Sequence, residues 1–214
     1  MKPAAADING NSFILHPLKA AYWVNQEALL IADLHFGKVT HFRKSGIAVP
    51  GEKAMEDAVK LDRLMEEFKP GKVYFLGDLF HSDYNKEIKI LESFIDRHTG
   101  VGFTLITGNH DLPGFLRGIE TRVEIMEEAT IGEFSLQHKP SEPGNSKYQI
   151  CGHLHPAVKL RGPSKQYLKL PCFYVTNIMM VLPSFGSFTG SKVIRPKKGD
   201  RVFVVTGEEV IGVG

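Results

Sequence analysis

Cysteine is nearly absent: the 214 residues include only Cys151 and Cys172. That count excludes a disulfide framework and a cysteine-built zinc site. Both thiols sit in apolar surroundings and read as core residues. No apolar run approaches the roughly 20 residues that a membrane-spanning helix needs. The opening Met-Lys-Pro-Ala-Ala-Ala-Asp lacks the apolar core of a secretory signal. A cytoplasmic location and no membrane partner are therefore expected. Internal repeats and low-complexity stretches are missing too. Charge excess is small, a formal net of +2, which counts against tight unaided binding to a polyanion.

What is present is ordinary in amount and uneven in placement. Hydrophobic content of 43% and charged content of 23% suit a globular chain. At this length we expect one domain, residues 1–214, with ample core. Residues 1–138 carry 15 Lys/Arg against 20 Asp/Glu, a net of −5, and residues 139–201 carry 11 against 2, a net of +9. The basic segment suits either a solvated loop face or a surface for a polyanion.

Hydrophobic patterning predicts short strands at Ser12–Pro17 and Ala20–Val24, then a buried strand at Ala28–Ala32. A helix is predicted over Gly51–Phe68, with Met55, Val59, Leu61, Leu64, Met65 and Phe68 as its apolar stripe and Pro70-Gly71 as its stop. Lys72–Leu76 and Val101–Thr107 read as strands around a second amphipathic helix, Lys86–Arg97. Later come short strand candidates at Phe134–His138, Tyr148–Cys151, Phe173–Thr176, Met179–Leu182 and Arg201–Val205. Segments 139–147 and 160–170 read as loops. This order, β-α-β-α-β and then mostly β, implies an α/β (α+β) fold of two packed sheets with helices outside.

Five islands of metal-binding residue types punctuate that pattern. They are Asp33-Leu34-His35, Gly77-Asp78, Gly108-Asn109-His110-Asp111, His138 and Gly152-His153-Leu154-His155. The first three directly follow strand candidates, so their side chains can converge where strands relax into loops. One carboxylate, such as Asp78, has two oxygens and can bridge two cations. Asn109 offers an amide oxygen, and His138, His153 and His155 offer imidazoles. Mixed nitrogen and oxygen donors suit Mn²⁺, Fe²⁺ or Zn²⁺ better than Ca²⁺ or Mg²⁺. The supply is enough for two ions roughly 3.5–4 Å apart, the arrangement of two-metal hydrolytic sites. His110 is left over for proton transfer or charge stabilisation, with Asp111 beside it to set its tautomer.

The ordered series Asp-x-His, Gly-Asp, Gly-Asn-His-Asp, His, Gly-His-x-His resembles the calcineurin-like metallophosphoesterase superfamily over residues 28–156. The resemblance implies a four-layer αββα double β-sandwich. It implies that Asp33, His35, Asp78 and His155 hold one metal and Asp78, Asn109, His138 and His153 the other. His110 matches the catalytic histidine of that family and Asp111 its supporting acid. Gly77-Asp78-Leu79-Phe80-His81 departs from the common Gly-Asp-x-x-Asp and is similar to SbcD-type nucleases, which makes His81 a substrate-phosphate contact. Ala32–Lys38, the stretch through Phe42-Arg43-Lys44 to Pro50, and Pro183–Gly190 resemble the PdeM-like, ligase-associated DNA damage response group. Arg43 and Lys44, with Lys38 near them, are candidate cations for a substrate phosphate.

These resemblances imply a hydrolase that cleaves phosphodiesters by attack of a metal-bridged hydroxide, with two divalent ions, Mn²⁺ first and Fe²⁺ or Zn²⁺ as alternatives. The expected activity is a DNA endonuclease of DNA repair, with DNA as substrate and a DNA ligase and helicase as partners. A phosphodiesterase or phosphatase for a small nucleotide or a phosphoprotein is the alternative, and a non-enzymatic scaffold is the third. Oligomeric state is open, a homodimer being one option. Aromatic residues interleave the basic segment, where Tyr148, Tyr167, Phe173, Tyr174, Phe185 and Phe188 serve either the core or base stacking.

Overall fold

Side-chain alternation builds a sheet with two buried faces. Along β4 (Ala28–Ile31), β5 (Lys72–Leu76) and β6 (Gly102–Ile106), successive residues point to opposite sides. Leu29, Ile31, Val73, Phe75, Phe103 and Leu105 enter one core cluster. Ala28, Leu30, Tyr74, Leu76 and Ile106 enter a second, on the other face. The computed structural model describes residues 1–36, 38, 53–80, 86–111, 119–142, 147–161, 166–187 and 189–213.

The first sheet has seven strands in chain order. Its antiparallel start is β1 (Ala4–Ile8), β2 (Asn11–Leu15) and β3 (Ala21–Trp23), and β3 pairs β4. β4, β5, β6 and β7 (Val123–Met126) are parallel. Helices α1 (Lys53–Phe68) and α2 (Lys86–Arg97) cross from β4 to β5 and from β5 to β6. Because the strand order advances in one direction and such crossovers share one hand, both helices fall on one face. Leu61, Leu64 and Met65 of α1 and Leu91, Phe94 and Ile95 of α2 fill the cluster on that face. Each fully buried side chain of this size contributes about 1.5–3 kcal/mol.

The second sheet runs β14-β11-β12-β13-β10-β9-β8, with β15 and β16 attached through β12. Its strands are β8 (Glu128–Ile131), β9 (Phe134–Gln137), β10 (Tyr148–Cys151), β11 (Pro156–Arg161), β12 (Tyr167–Val175), β13 (Met179–Val181), β14 (Lys192–Val193), β15 (Arg201–Val205) and β16 (Val210–Val213). Phe134, Leu136, Ile150, Phe173, Met180 and Leu182 meet Phe13, Trp23, Leu30 and Leu76 of the first sheet. The expected double β-sandwich is therefore present, with the two described α-helices outside the first sheet. A small cluster of Val158, Cys172, Val202 and Val204 lies on the second sheet away from the inter-sheet core. Both cysteines are free and fully buried, and burial pushes both thiols up.

Three details differ from the sequence reading. In α1, Val59 is 61% and Met55 49% exposed, and Ala58 joins the buried stripe instead. The segment 160–170 is not simply a loop, because β11 extends to Arg161 and β12 begins at Tyr167. Its side chains alternate Lys and Leu with neither face buried, so a burial-based pattern misses it. Strands β1, β7, β8, β14 and β16 were also not anticipated; most are short or largely exposed, which removes the alternation that marks a strand.

Candidate metal centre

The carboxyl ends of parallel strands from both sheets meet at one edge of the sandwich. Asp33 and His35 follow β4, Asp78 follows β5, and Asn109, His110 and Asp111 follow β6. His138 follows β9, and His153 and His155 follow β10. Crevices outside the carboxyl ends of parallel strands are where α/β sheets place their ligands.

The backbone is strained there. Asp33, His35, Asp78, His153 and His155 all have positive φ, between 46° and 64°. A non-glycine residue in the left-handed region is disfavoured, and such residues concentrate at functional sites. Four of the five are held by a hydrogen bond from another island, and His155 by Lys192 N–H on its carbonyl and the Gly190 carbonyl on its ring. His35 N–H donates to the Asp78 carbonyl at 2.9 Å and Asp33 N–H to the Gly77 carbonyl at 3.2 Å. His153 N–H donates to Asp33 Oδ2 at 2.9 Å, and His110 N–H to Asp78 Oδ1 at 3.0 Å. Ser184 Oγ–H and Gly186 N–H donate to the Asp33 carbonyl, and Phe185 N–H to the Ala32 carbonyl. Residues 184–186, which follow β13, thus tie the second sheet to the first metal motif.

Two glycines make the approach possible. Gly77 has φ +76°, and a Cβ there would collide with the His138 imidazole. A Cβ on Gly152 would lie 2.6 Å from Asp33 Oδ2 and 2.7 Å from Ala32 Cβ.

The side chains form two groups that could each hold a metal ion: Asp33 with His35 and His155, and Asp78 with His138 and His153. Ring orientation favours ligation. His138 Nδ1 lies 2.9 Å from the Leu76 carbonyl and His155 Nδ1 3.1 Å from the Gly190 carbonyl. A carbonyl only accepts, so Nδ1 carries the hydrogen in both rings and Nε2 is left with its lone pair. His155 Nε2 then stands 3.1 Å from Asp33 Oδ1, both atoms buried and without a hydrogen bond. His138 Nε2 lies 3.5 Å from Asp78 Oδ2 and 3.0 Å from His153 Nδ1. Lone pairs turned toward each other in a buried cluster are stable only around a cation or a proton, which is the fit expected of a metal site.

Without a cation, the cluster draws a proton in its place. Burial disfavours the charged form of Asp78, but His138 and the His110 N–H outweigh it and hold the carboxyl below its ordinary range. Burial opposes protonation of His138, yet Asp78 and the Leu76 carbonyl raise its pKa above the usual value. His153 is lowered by burial and by His138 beside it. Lys38 is lowered by burial, against the attraction of Asp78 and Asp33.

The remaining predicted residues fall around this cluster. His110 is exposed, its ring centroid 5.9 Å from that of His35. Asn109 is exposed beside it. Asp111 Oδ1 accepts from Leu79 and Phe80 N–H and Oδ2 from Gly108 N–H. Those partners make Asp111 a brace between the Gly-Asp and Gly-Asn-His-Asp loops. His81, Arg43 and Lys44 lie outside the described residues. Sequence reasoning missed the Leu76 and Gly190 carbonyls that orient His138 and His155, since main-chain atoms leave no residue-type signature.

Solved structures include proteins similar to this chain. The structure of Pseudomonas putida nuclease MPE is similar over 99% of this chain and 100% of that one, with TM-score 0.82 and 29% identity. Yfce, a phosphoesterase from E. coli, overlaps 87% of this chain and 97% of its own at TM-score 0.42 and 14% identity. No curated protein matches the chain. The calcineurin-like phosphoesterase model matches residues 28–143, more than half of the sequence and four of the five islands. The chain belongs to the calcineurin-like phosphoesterases and is a metal-dependent phosphoesterase.

Proposed function

We propose that the chain is a dinuclear phosphodiesterase that cuts DNA, working with Mn²⁺, or with Fe²⁺ or Zn²⁺ in its place. Asp33, His35, Asp78 and His155 would hold one ion, and Asp78, Asn109, His138 and His153 the other. The observation that carries this reading is the meeting of two three-ligand groups at one sandwich edge. Mixed imidazole and carboxylate donors favour Mn²⁺, Fe²⁺ and Zn²⁺ over the harder cations.

When bound, two divalent ions lower the pKa of a coordinated water and neutralise charge on the phosphate. The chain's own residues do the rest. The Leu76 and Gly190 carbonyls fix the ring orientation of His138 and His155. Asp111 holds the loops of Asp78 and His110 in register. His110, exposed and anchored through its N–H to Asp78, would protonate the leaving oxygen. Lys38, which the charges of Asp78 and Asp33 attract, and His81, Arg43 and Lys44 are proposed as phosphate contacts.

DNA as the substrate is favoured by the full-length likeness to a nuclease and by the Gly77–His81 resemblance. A repair role beside a DNA ligase and a helicase follows from the PdeM-like stretches. The test is a substrate panel with metal-stripped protein reloaded with Mn²⁺. It holds a phosphodiester reporter, a phosphomonoester reporter, single-stranded DNA, duplex DNA and a cyclic nucleotide. Cleavage of the diester reporter and of single-stranded DNA is expected. Turnover of the monoester or cyclic nucleotide alone would shift the reading to a small nucleotide or phosphoprotein, and no turnover of any ester would end it.

A further inference from the structure

The β11–β12 hairpin starts at the metal centre and leaves the sandwich. Pro156 directly follows His155, and Lys192 N–H of the neighbouring β14 donates to the His155 carbonyl at 2.9 Å. The hairpin pairs Val158 with Leu170, Lys159 with Lys169, Leu160 with Leu168 and Arg161 with Tyr167. Directly opposed residues share a face. Val158 and Leu170 lie with Cys172 in the small apolar cluster, so Leu160 and Leu168 continue that face. Lys159, Arg161, Tyr167 and Lys169 take the opposite face, the one that runs on into Phe173 of the inter-sheet core.

Charge and aliphatic surface are thus separated within one two-stranded ribbon. Lys159 and Lys169 are direct cross-strand partners, a placement of like charges that is unfavourable without an anion. Among the described residues neither meets a carboxylate. Lys159 Nζ sits 4.0 Å over the Tyr167 ring, and Lys169 Nζ donates to the Ser191 carbonyl at 2.9 Å. Tyr167 is 55% exposed, so its ring faces solvent. Three cations beside an exposed aromatic ring match a sugar-phosphate backbone with unpaired bases.

Building on the phosphodiesterase reading, we propose that this face of the hairpin is the docking strip for a single-stranded polynucleotide whose scissile phosphate lies at the metal centre. Lys159 and Lys169 share one backbone phosphate, Arg161 holds the next, and Tyr167 stacks a base. The strip names the substrate as a strand rather than a mononucleotide, because its contacts lie beyond the reach of a single phosphate at His155.

Binding is measured without cleavage, by fluorescence anisotropy of labelled oligo(dT) in EDTA. Lys159→Ala/Lys169→Ala is expected to weaken binding about tenfold near physiological salt, and to lower the log–log salt slope by about 0.7, the loss of one neutralised phosphate. Tyr167→Ala is expected to weaken it by about 5- to 150-fold. The control Lys197→Ala/Lys198→Ala removes the same charge elsewhere, since Lys197 N–H bonds Asp200 beside Tyr174, toward the other end of β12. It is expected to change affinity less than the hairpin pair. Equal losses in the two double variants, or wild-type affinity in the Lys159/Lys169 pair, overturn the strip. If the wild type hydrolyses the diester reporter yet does not bind oligo(dT), the strip fails and the phosphodiesterase stands. Binding through the strip with no diester hydrolysed gives the reverse.

Discussion

At the strand-end cleft, charged groups are buried and answered from across the sandwich. Asp33 accepts the His153 N–H, Asp78 accepts the His110 N–H, and His138 and His155 are each fixed by a carbonyl. At the β11–β12 hairpin, charged groups are exposed, and two of like sign stand opposite each other. The first region over-determines a few atoms, as catalysis requires, because a misplaced ligand costs far more than a misplaced surface charge. Among the described residues the second meets its two lysines with no carboxylate, which suits a partner that arrives from outside. Substitutions that treat the two regions alike would break this contrast.

The largest effect is expected in the cleft. Asp33→Ala removes the acceptor of His153 N–H and the carboxylate facing His155 Nε2. Turnover of the diester reporter should fall on the order of 10⁴-fold with loss of bound Mn²⁺. Metal analysis alongside initial rates reads both, and a variant that keeps its metal would remove Asp33 from the ligand set. His110→Ala should act differently. Its backbone N–H, which is what contacts Asp78, survives the change, so metal content should stay at the wild-type level. Turnover should fall roughly 10²-fold or more, the range of a lost general acid. A proportional loss of metal and rate would show that His110 acts through the ligands instead.

Gly77→Ala tests whether packing, rather than ligand chemistry, sets the cleft. The new Cβ meets the His138 ring at a residue with φ +76°. Strain of this kind costs about 1–3 kcal/mol, and each kcal/mol lowers Tm by about 2–4 °C in a chain of this size. Displacing His138 should also weaken Mn²⁺ affinity by about 10- to 100-fold. Unchanged Tm and affinity would mean that the cleft relaxes as freely as a surface loop.

The same contrast governs what the sequence reveals. The islands are legible because Asp33-x-His35, Gly108–Asp111 and Gly152–His155 are local in the chain and follow apolar runs that can only be buried strands. The double sandwich follows from the same runs, since Val73–Leu76 is apolar on both faces. The left-handed backbone at Asp33, His35, Asp78, His153 and His155 is invisible locally, because the hydrogen bonds that hold these residues come from segments distant in the chain. The bracing set of Asp111 is hidden for the same reason, as its donors Leu79 and Phe80 lie some thirty positions away. The hairpin is missed through the opposite cause: Leu160 and Leu168, at 39% and 57% exposed, bury no face, so Lys159–Arg161 and Tyr167–Lys169 give no burial pattern to read. In α1 the exposed Val59 looks like core by residue type alone.

The smallest expected effect has an unusual sign. Lys169→Glu turns the Lys159–Lys169 pair from like charge to opposite charge at a direct cross-strand position. Such pairs differ by about 0.2–1 kcal/mol, so the variant should melt slightly above the wild type, by roughly 1–2 °C. Its affinity for oligo(dT) should fall at the same time, because a carboxylate now occupies the place where a phosphate would sit. A gain in stability with a loss of binding is the signature of residues held for function. In the cleft the two quantities fall together, as for Gly77→Ala. If Lys169→Glu instead lowered Tm, the Lys169–Ser191 hydrogen bond would outweigh the charge pair, and the hairpin would be a structural element like the rest of the sheet.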